Sequence, residues 1–368
     1  MKVLHISSAK SWRGGEQQIA YLLQALGQYG VEQWVFCPQN SALAKYCQAQ
    51  HIPFESYRKL SAFNPVTAYA IRRVVQRQSI DLLHIHDAHA HTLACLAAQF
   101  FGVHIPFVLT RHLIIPIRNN AISRWKYRHP SIRRIICISH FIKKVLAADL
   151  PDTKQLEVIP ASIDVQKFAH HSTDFSLRKT YDVSSDTLII ANIAAIEPFK
   201  DYFTFVDTAQ LLIEAKVKAR FFIIGNDAGQ AKALKSYIAA KKLTPHFVFT
   251  GFQRNIISIL RSIDVLLFTS KTEGLGISLL EAFASGVPVV STNAGGIPEV
   301  VLHEKTGLLA PVGDATALAQ QVKRILDKPL LRDTLIAQAK IHLQQFSIEK
   351  MAQATYRVYQ AVEEEDKK

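Results

Sequence analysis

Short apolar runs bounded by polar residues recur along this chain, each followed by a stretch whose apolar residues fall three or four positions apart. The first run covers residues 2–7 and leads through Gly14-Gly15 to Ile19, Leu22, Leu23 and Leu26, which mark one helical face. The pattern predicts further strands at 33–37, 82–86, 107–110 and 135–138, and a second series at 188–193, 220–225, 247–251, 264–268 and 287–291. Alternation of strand and helix implies mostly parallel sheets with crossover helices. The fold class is therefore α/β, with two doubly wound parallel-sheet domains. Around Val158-Ile-Pro-Ala-Ser-Ile-Asp164 the chain leaves the first sheet, and a charged, polar stretch to Asp186 precedes the second. The expected domains are 1–165, joined by a C-terminal helix at about 347–368, and 166–346. The end of that helix, 363–368, is expected to fray. Ligands of such sheets bind beyond the carboxyl ends of the strands, so a cleft between the halves is the expected site.

Length agrees with two domains, since 368 residues exceed one ordinary core. No apolar run reaches the length of a membrane span; the longest, 93–109, is broken by Gln99, His104 and Pro106. Residues 2–6 are too short and polar for a signal peptide, so a cytoplasmic protein is expected. Cys37, Cys47, Cys95 and Cys137 show no paired spacing, as in a reducing compartment. The net charge of +13 is uneven: residues 1–160 carry 19 Lys and Arg against 8 Asp and Glu, and residues 161–368 carry 24 against 22. The densest basic run is Arg118, Arg124, Lys126, Arg128, Arg133, Arg134, Lys143 and Lys144, interleaved with Ile114, Ile115, Ile117, Trp125 and Tyr127. Such a mixture suits an anionic membrane surface or an anionic acceptor, and no nucleic-acid recognition motif accompanies it. A merely solvated face is the plainer alternative.

Candidate chemistry concentrates in Ser270-Lys271-Thr272-Glu273-Gly274-Leu275-Gly276-Ile277-Ser278-Leu279-Leu280-Glu281. The apolar run before it reads as a buried strand, Gly274 and Gly276 as a turn that lets a ligand approach the backbone, and the residues after it as a helix with Glu281 one turn in. The start of such a helix can hold a phosphate, with the two carboxylates on the hydroxyls of the same ligand. Taken alone, the pair reads more readily as a helix-start acid, Glu273, and a solvent-facing one, Glu281; its context changes that balance. A second cluster, His84-Ile-His86-Asp87-Ala-His89-Ala-His91, contains metal-ligand residue types. Alternation puts His84 and His86 on one side of a strand. No further ligands are evident from the sequence, and no metal is expected there.

The ordered set Ile224-Gly225-Asn226-Asp227, Phe249-Thr-Gly251, Ser270 to Gly274, Glu281-Ala-Phe-Ala-Ser-Gly286-Val-Pro288, Gly295-Gly296-Ile-Pro298-Glu299 and Gly307-Leu308-Leu309, with Gly14-Gly15 and Val158-Ile-Pro160 upstream, resembles the retaining glycosyltransferases of family 4. That family has the GT-B fold, two Rossmann-like domains facing a cleft. The resemblance implies a nucleotide-sugar donor, UDP- or GDP-linked, no metal cofactor, and transfer to a glycan or glycolipid acceptor such as a lipopolysaccharide or other cell-envelope precursor. It implies that Glu281 holds the donor ribose, Glu273 the donor sugar, and the backbone of Gly274, Leu275, Gly276 and Ile277 the sugar and diphosphate. Gly14 and Gly15 would approach the diphosphate, Lys200 would neutralise it as it leaves, and His112 would face the donor sugar. His86 falls where the family lines its acceptor cleft; Arg124, Lys126 and Arg128 are further acceptor-side candidates. Two departures stand out. Ala194 and Ala195 occupy the positions of a common Gly-Arg pair, leaving Lys271 or Arg13 to supply a second diphosphate cation, and Ser162 occurs where Val-Ile-Pro-Asn-Gly is common. The rival readings are a nucleotide-sugar epimerase of the same fold and an inactive sugar-nucleotide binder. An inner-membrane periphery is the expected location for the transferase.

Overall fold

The computed structural model describes residues 1–367 apart from 113, 115, 118, 119, 151 and 170–174, so Ile115 and Arg118 lie outside the described residues. The chain divides into one unit of Met1–Ser162 with Ile348–Lys368 and another of Ile163–Ser347.

In the first unit, β1 (Lys2–Ile6), β2 (Glu32–Pro38), β3 (Phe54–Tyr57), β4 (Leu82–Ile85), β5 (Phe107–Arg111), β6 (Ile132–Cys137) and β7 (Leu156–Val158) form one sheet in the order β3-β2-β1-β4-β5-β6-β7. Every pairing is parallel. The four residues of β4 are all buried, as a central strand covered on both faces requires. Four helices matter below: α1 (Gly14–Ala25), α2 (Pro65–Gln78), α3 (Ala88–Phe101) and α4 (Ala121–Tyr127). Three have side-chain caps. Asn64 accepts from the N–H of Val66 and Thr67 ahead of α2, with Pro65 in the first turn; Asp87 accepts from His89 and Ala90 at α3; Asn120 accepts from Ser123 at α4.

The C-terminal helix, Ile348–Asp366, buries Met351, Ala352, Thr355, Val358, Tyr359 and Val362 along one stripe. These pack with Val3, Tyr21, Leu22, Leu26, Leu82, Val108 and Ile136. At its centre the Tyr359 hydroxyl lies 2.6 Å from His84 Nδ1, and His84 Nε2 is 2.7 Å from the Thr110 hydroxyl. The same helix changes the picture of the basic run. Arg133 pairs with Asp366 at 3.1 Å and Arg134 with Glu365, so acids from the far end of the chain neutralise part of that field. Lys126 turns inward, donating to the Ala88 carbonyl at 3.3 Å and the Thr92 hydroxyl at 3.1 Å.

In the second unit, β8 (Leu188–Ile193), β9 (Ala219–Ile224), β10 (Phe247–Gly251), β11 (Val265–Phe268), β12 (Val289–Thr292) and β13 (Leu308–Ala310) pair in parallel in the order β10-β9-β8-β11-β12-β13. Its core is built on Ile190, Phe205, Phe221, Ile223, Val265, Leu267 and Val290. The relevant helices are α5 (Val165–Ala169), α6 (Tyr202–Glu214) and α7 (Ile277–Ala284). Among the described residues, no helix is long and apolar enough to cross a membrane. The four cysteines are free and buried, and burial raises their thiol pKa values to about 11 or 12.

The Tyr359 hydroxyl contact gives a direct test of how the C-terminal helix is held. Tyr359→Phe removes it and leaves a buried imidazole nitrogen unpaired, so urea unfolding should show a loss of about 1–3 kcal/mol; an unchanged midpoint would show that packing alone anchors the helix.

Candidate active site

In the second unit the loop after β11 and the turn before α6 bring the predicted residues together. Lys200, 200 residues into the chain, places its Nζ 2.5 Å from Oε2 of Glu273, and the two side chains are equally shielded, each 17% exposed. The Phe268 ring lies 5.5 Å from the same Nζ. Ser270 Oγ stands 3.4 Å from the Glu273 carboxylate, and the buried Thr269 hydroxyl donates to the Lys200 carbonyl at 3.0 Å. Lys271 lies beside this pair: its backbone N–H donates to the Phe199 carbonyl at 2.8 Å, and its ammonium sits 3.5 Å from the buried Asp201 carboxylate.

The Gly274–Gly276 turn has a steric cause. Gly276, the residue capping α7, has φ +93°, and a Cβ there would fall 2.7 Å from Leu279 Cδ1. Gly295 has φ +57° and passes so close to the loop that a Cβ would lie 2.3 Å from the Glu273 carbonyl oxygen. Gly276 has no side chain, so the first-turn N–H groups of α7 carry no side-chain cap. Leu275 is buried, and Ile277 opens the helix.

Glu281 is the fifth residue of α7 and partly buried. Burial pushes its carboxyl up to about 7, with Lys167 of α5 pulling the other way. Part of the side chain reaches solvent, so the carboxyl rather than the whole residue is desolvated. Among the described residues, no protein donor hydrogen-bonds to this carboxylate. A desolvated acid without a donor is an open acceptor for a ligand's hydroxyl groups.

In the first unit, Gly14 opens α1, and the exposed Arg13 precedes it, its backbone N–H donating to the Glu16 carboxylate at 3.1 Å. Gly15 and His112 are neighbours: a Cβ at Gly15 would meet His112 Cδ2 at 3.9 Å, ordinary contact. Among the described residues His112 Nε2 has no partner, and burial lowers its pKa to about 4 against the opposing pull of Asp87, so the ring is neutral at physiological pH.

The histidine cluster is distributed by role. Rings of His84 and His86 lie 4.1 Å apart, and His5 from the middle of β1 joins them, its Nδ1 3.0 Å from His86 Nε2. His5 went unnoticed in the sequence; a polar residue inside the otherwise apolar run Val3-Leu4-His5-Ile6 was the available signal. The three residues can bring one nitrogen each within 4.8 Å of one another, a donor set that zinc or nickel would accept. Both His84 nitrogens already serve hydroxyl groups, and burial lowers the pKa of all three rings. His84 is thus fully paired within a neutral hydrogen-bonded network, while the buried His5 Nε2 has no partner among the described residues. Asp87 accepts from the Ser8 N–H at 2.5 Å and hydroxyl at 2.6 Å, tying the end of β4 to the loop after β1. His91 is buried against the Lys126 carbonyl, and His89 is exposed. Arg124 and Arg128 are exposed on and just beyond α4.

Two family models match the chain: Glycosyltransferase Family 4 over residues 12–167 and Glycosyl transferases group 1 over residues 174–342. The chain belongs to the family 4 glycosyltransferases. It is 28% identical over 309 residues to N-acetyl-alpha-D-glucosaminyl L-malate synthase of Bacillus anthracis, covering 82% of this chain and 80% of the relative. It is 23% identical over 272 residues to UDP-Gal:alpha-D-GlcNAc-diphosphoundecaprenol alpha-1,3-galactosyltransferase of Escherichia coli, covering 71% of this chain and 70% of the relative. The GT-B glycosyltransferase fold is shared with Anabaena HepE in complex with UDP, at TM-score 0.84, 19% identity and coverage of 98% and 100%. A glycosyltransferase from Rickettsia africae aligns at TM-score 0.85, 21% identity and 98% of each chain.

For this glycosyltransferase the raised pKa of Glu281 makes a signed prediction. The folded protein favours the protonated acid, so this contribution is fully present below the ordinary value of 4.5 and lost as pH rises through about 7. Glu281→Gln should therefore stabilise the ligand-free protein by about 1–3 kcal/mol near pH 8, with no gain at pH values below about 4.5. Thermal melts across that range check it, and a pH-independent effect would remove the assignment.

Proposed function

We propose that this enzyme transfers a sugar with retention of anomeric configuration, from a nucleoside-diphosphate sugar held by the second unit to a cell-envelope glycan or glycolipid. The single observation that carries the reading is Glu281: a desolvated carboxyl, without a protein donor among the described residues, eight residues after a glutamate already paired to Lys200. One carboxylate suits the two ribose hydroxyls and the other a sugar, while the α7 start and Lys200 suit the diphosphate. UDP is the favoured donor base, supported by structures of HepE with UDP and with UDP-glucose and by the UDP-Gal named for the Escherichia coli relative. The diphosphoundecaprenol in that relative's name supports a lipid-linked envelope acceptor. Buried, unpaired thiols fit a reducing compartment, which favours the cytoplasmic side of the membrane.

In the proposed reaction, the bond from the anomeric carbon to the departing phosphate oxygen breaks as the acceptor oxygen bonds to that carbon on the same face. The acceptor proton passes to the phosphate oxygen. Lys200 offsets the growing diphosphate charge, and Lys271 or Arg13 supplies the second cation that Ala194-Ala195 does not. Neutral His112 can donate to or accept from a sugar hydroxyl. These groups neutralise charge without a metal ion, so EDTA should leave turnover unchanged.

Titration with UDP and GDP, followed by nucleotide release with and without a polyprenyl-diphosphate-sugar acceptor, tests the reading. Release should depend on the acceptor; isomerisation of the donor without acceptor, or binding with no turnover, would replace it with an epimerase or a silent binder. Glu281→Ala should weaken UDP binding by roughly tenfold or more, as loss of charge-assisted hydrogen bonds does. Glu273→Ala and Lys200→Ala should chiefly slow transfer, by about 10²–10³ for the lysine. The proposed second cation fails if Lys271→Ala and Arg13→Ala both leave UDP affinity and turnover at the wild-type level.

A further inference from the structure

Two depressions in the first unit adjoin α3. One, of about 180 Å³, is lined by Phe63, Pro65, Leu96, Phe100 and Phe101. The other, of about 390 Å³, is lined by Gln99, Arg124, Trp125, Arg128, His129 and Pro130. Gln99 and Phe100 are consecutive, so the end of α3 joins an apolar hollow to a cationic one.

The apolar side is open to an unusual degree: Val66 is 75% exposed, Phe100 68% and Phe63 50%. Tyr69 of α2 meets Phe101 edge-on at 5.6 Å, which fixes α2 against α3 and holds these side chains on adjoining surface. Ile122 of α4 is exposed as well. Clustered exposed aromatic and aliphatic groups mark a surface that is covered in use. The charged side separates one occupant from another. Arg133 and Arg134 are neutralised by Asp366 and Glu365 and Lys126 is turned inward, whereas Arg124 and Arg128 have no acidic partner among the described residues. Lys143 and Lys144 of the same run also have no acidic partner among the described residues, but Arg124 and Arg128 are the ones that line the hollow beside the exposed phenylalanines. Aromatic rings beside free guanidinium groups match the boundary between acyl chains and anionic headgroups.

We propose that this face of the first unit docks on an anionic lipid bilayer, with Phe63, Val66 and Phe100 entering the acyl boundary and Arg124 and Arg128 on lipid phosphates. The docking goes beyond the transfer reaction and stands without it. An acidic protein would use the arginines but would not need the protruding rings to enter lipid.

Co-sedimentation with vesicles of equal parts phosphatidylglycerol and phosphatidylcholine, against phosphatidylcholine alone, tests it. The wild-type protein should bind the anionic vesicles and not the neutral ones. Arg124→Gln/Arg128→Gln should weaken binding by at least about tenfold, the scale expected for two basic groups at an anionic surface. Lys323→Gln/Lys328→Gln removes the same charge from exposed positions in the second unit and should have little effect. Phe63→Ser/Phe100→Ser keeps the charge and should also weaken vesicle binding at least about tenfold, with melting temperature and UDP affinity unchanged. No preference for anionic vesicles, an equal loss in the lysine control, or wild-type binding by the phenylalanine variant each overturns the proposal. UDP binding measured on the same preparations separates the two readings: vesicle binding without UDP binding would sink the transfer reading alone, and the reverse would sink this one alone.

Discussion

Parallel pairing is the constraint from which the rest of each unit follows. A parallel strand cannot return through a tight turn, so the chain must cross over before the next strand, and in these sheets helices form many of the crossings. Every strand then ends at the same edge of its sheet, and the loops and helix starts that follow gather there. In the first unit the residues beyond β1, β4 and β5 are Arg13 to Gly15, Asp87 and His112; in the second, those beyond β8 and β11 are Ala194 to Lys200 and Ser270 to Gly276. The candidate chemistry occupies one edge of each sheet because the topology leaves little choice.

Within the second unit the Lys200–Glu273 pair does two things at once. Each side chain is largely shielded, so each would be costly to leave alone, and removing either strands the other. The carbonyl of Lys200 is tied to the Thr269 hydroxyl, which fixes the backbone from which the lysine projects. In the proposed reaction a diphosphate competes with Glu273 for the ammonium, and a carboxylate thus released is free to accept from sugar hydroxyls. The resting pair keeps both groups oriented in the absence of ligand, and in the proposed reaction that orientation would serve as electrostatic preorganisation.

Legibility in the sequence followed burial. The central strand β11 is covered on both faces and reads as an unbroken apolar run, Val265 to Phe268, whereas the equally buried β4, Leu82–Ile85, is interrupted by His84. Short strands at or near the edges show no such run: β3 is Phe54-Glu-Ser-Tyr57, and β7 and β13 have three residues each. The two glutamates were visible because strand, glycine turn and helix are contiguous. The contact of Lys200 with Glu273 spans 73 positions, and only family resemblance pointed to a shared role. The basic run was legible only in part, for a related reason. Counting charges between residues 118 and 144 cannot reveal that Glu365 and Asp366 lie against two of them, because that depends on where the last helix packs.

The Ala194-Ala195 departure can be argued further from the backbone. The Ala194 N–H donates to the Ile224 carbonyl at 3.0 Å, and its carbonyl accepts from the Tyr202 hydroxyl at 2.7 Å. Gly225 passes so near that a Cβ would lie 2.0 Å from the same oxygen. The segment is pinned from three directions, so a cation is not restored by shifting this loop toward another basic residue. Within the second unit, a replacement has to come from a neighbouring strand end. Lys271 meets that requirement: it follows β11, which pairs with β8, and its N–H bonds to the carbonyl of Phe199, the residue immediately before Lys200. Asp201, buried at the start of α6 and accepting from Thr204, holds its ammonium near the same loop. If Lys271 is the second cation of the proposed reaction, the positive charge sits on the strand end adjacent to that of Ala194, beside the lysine it assists.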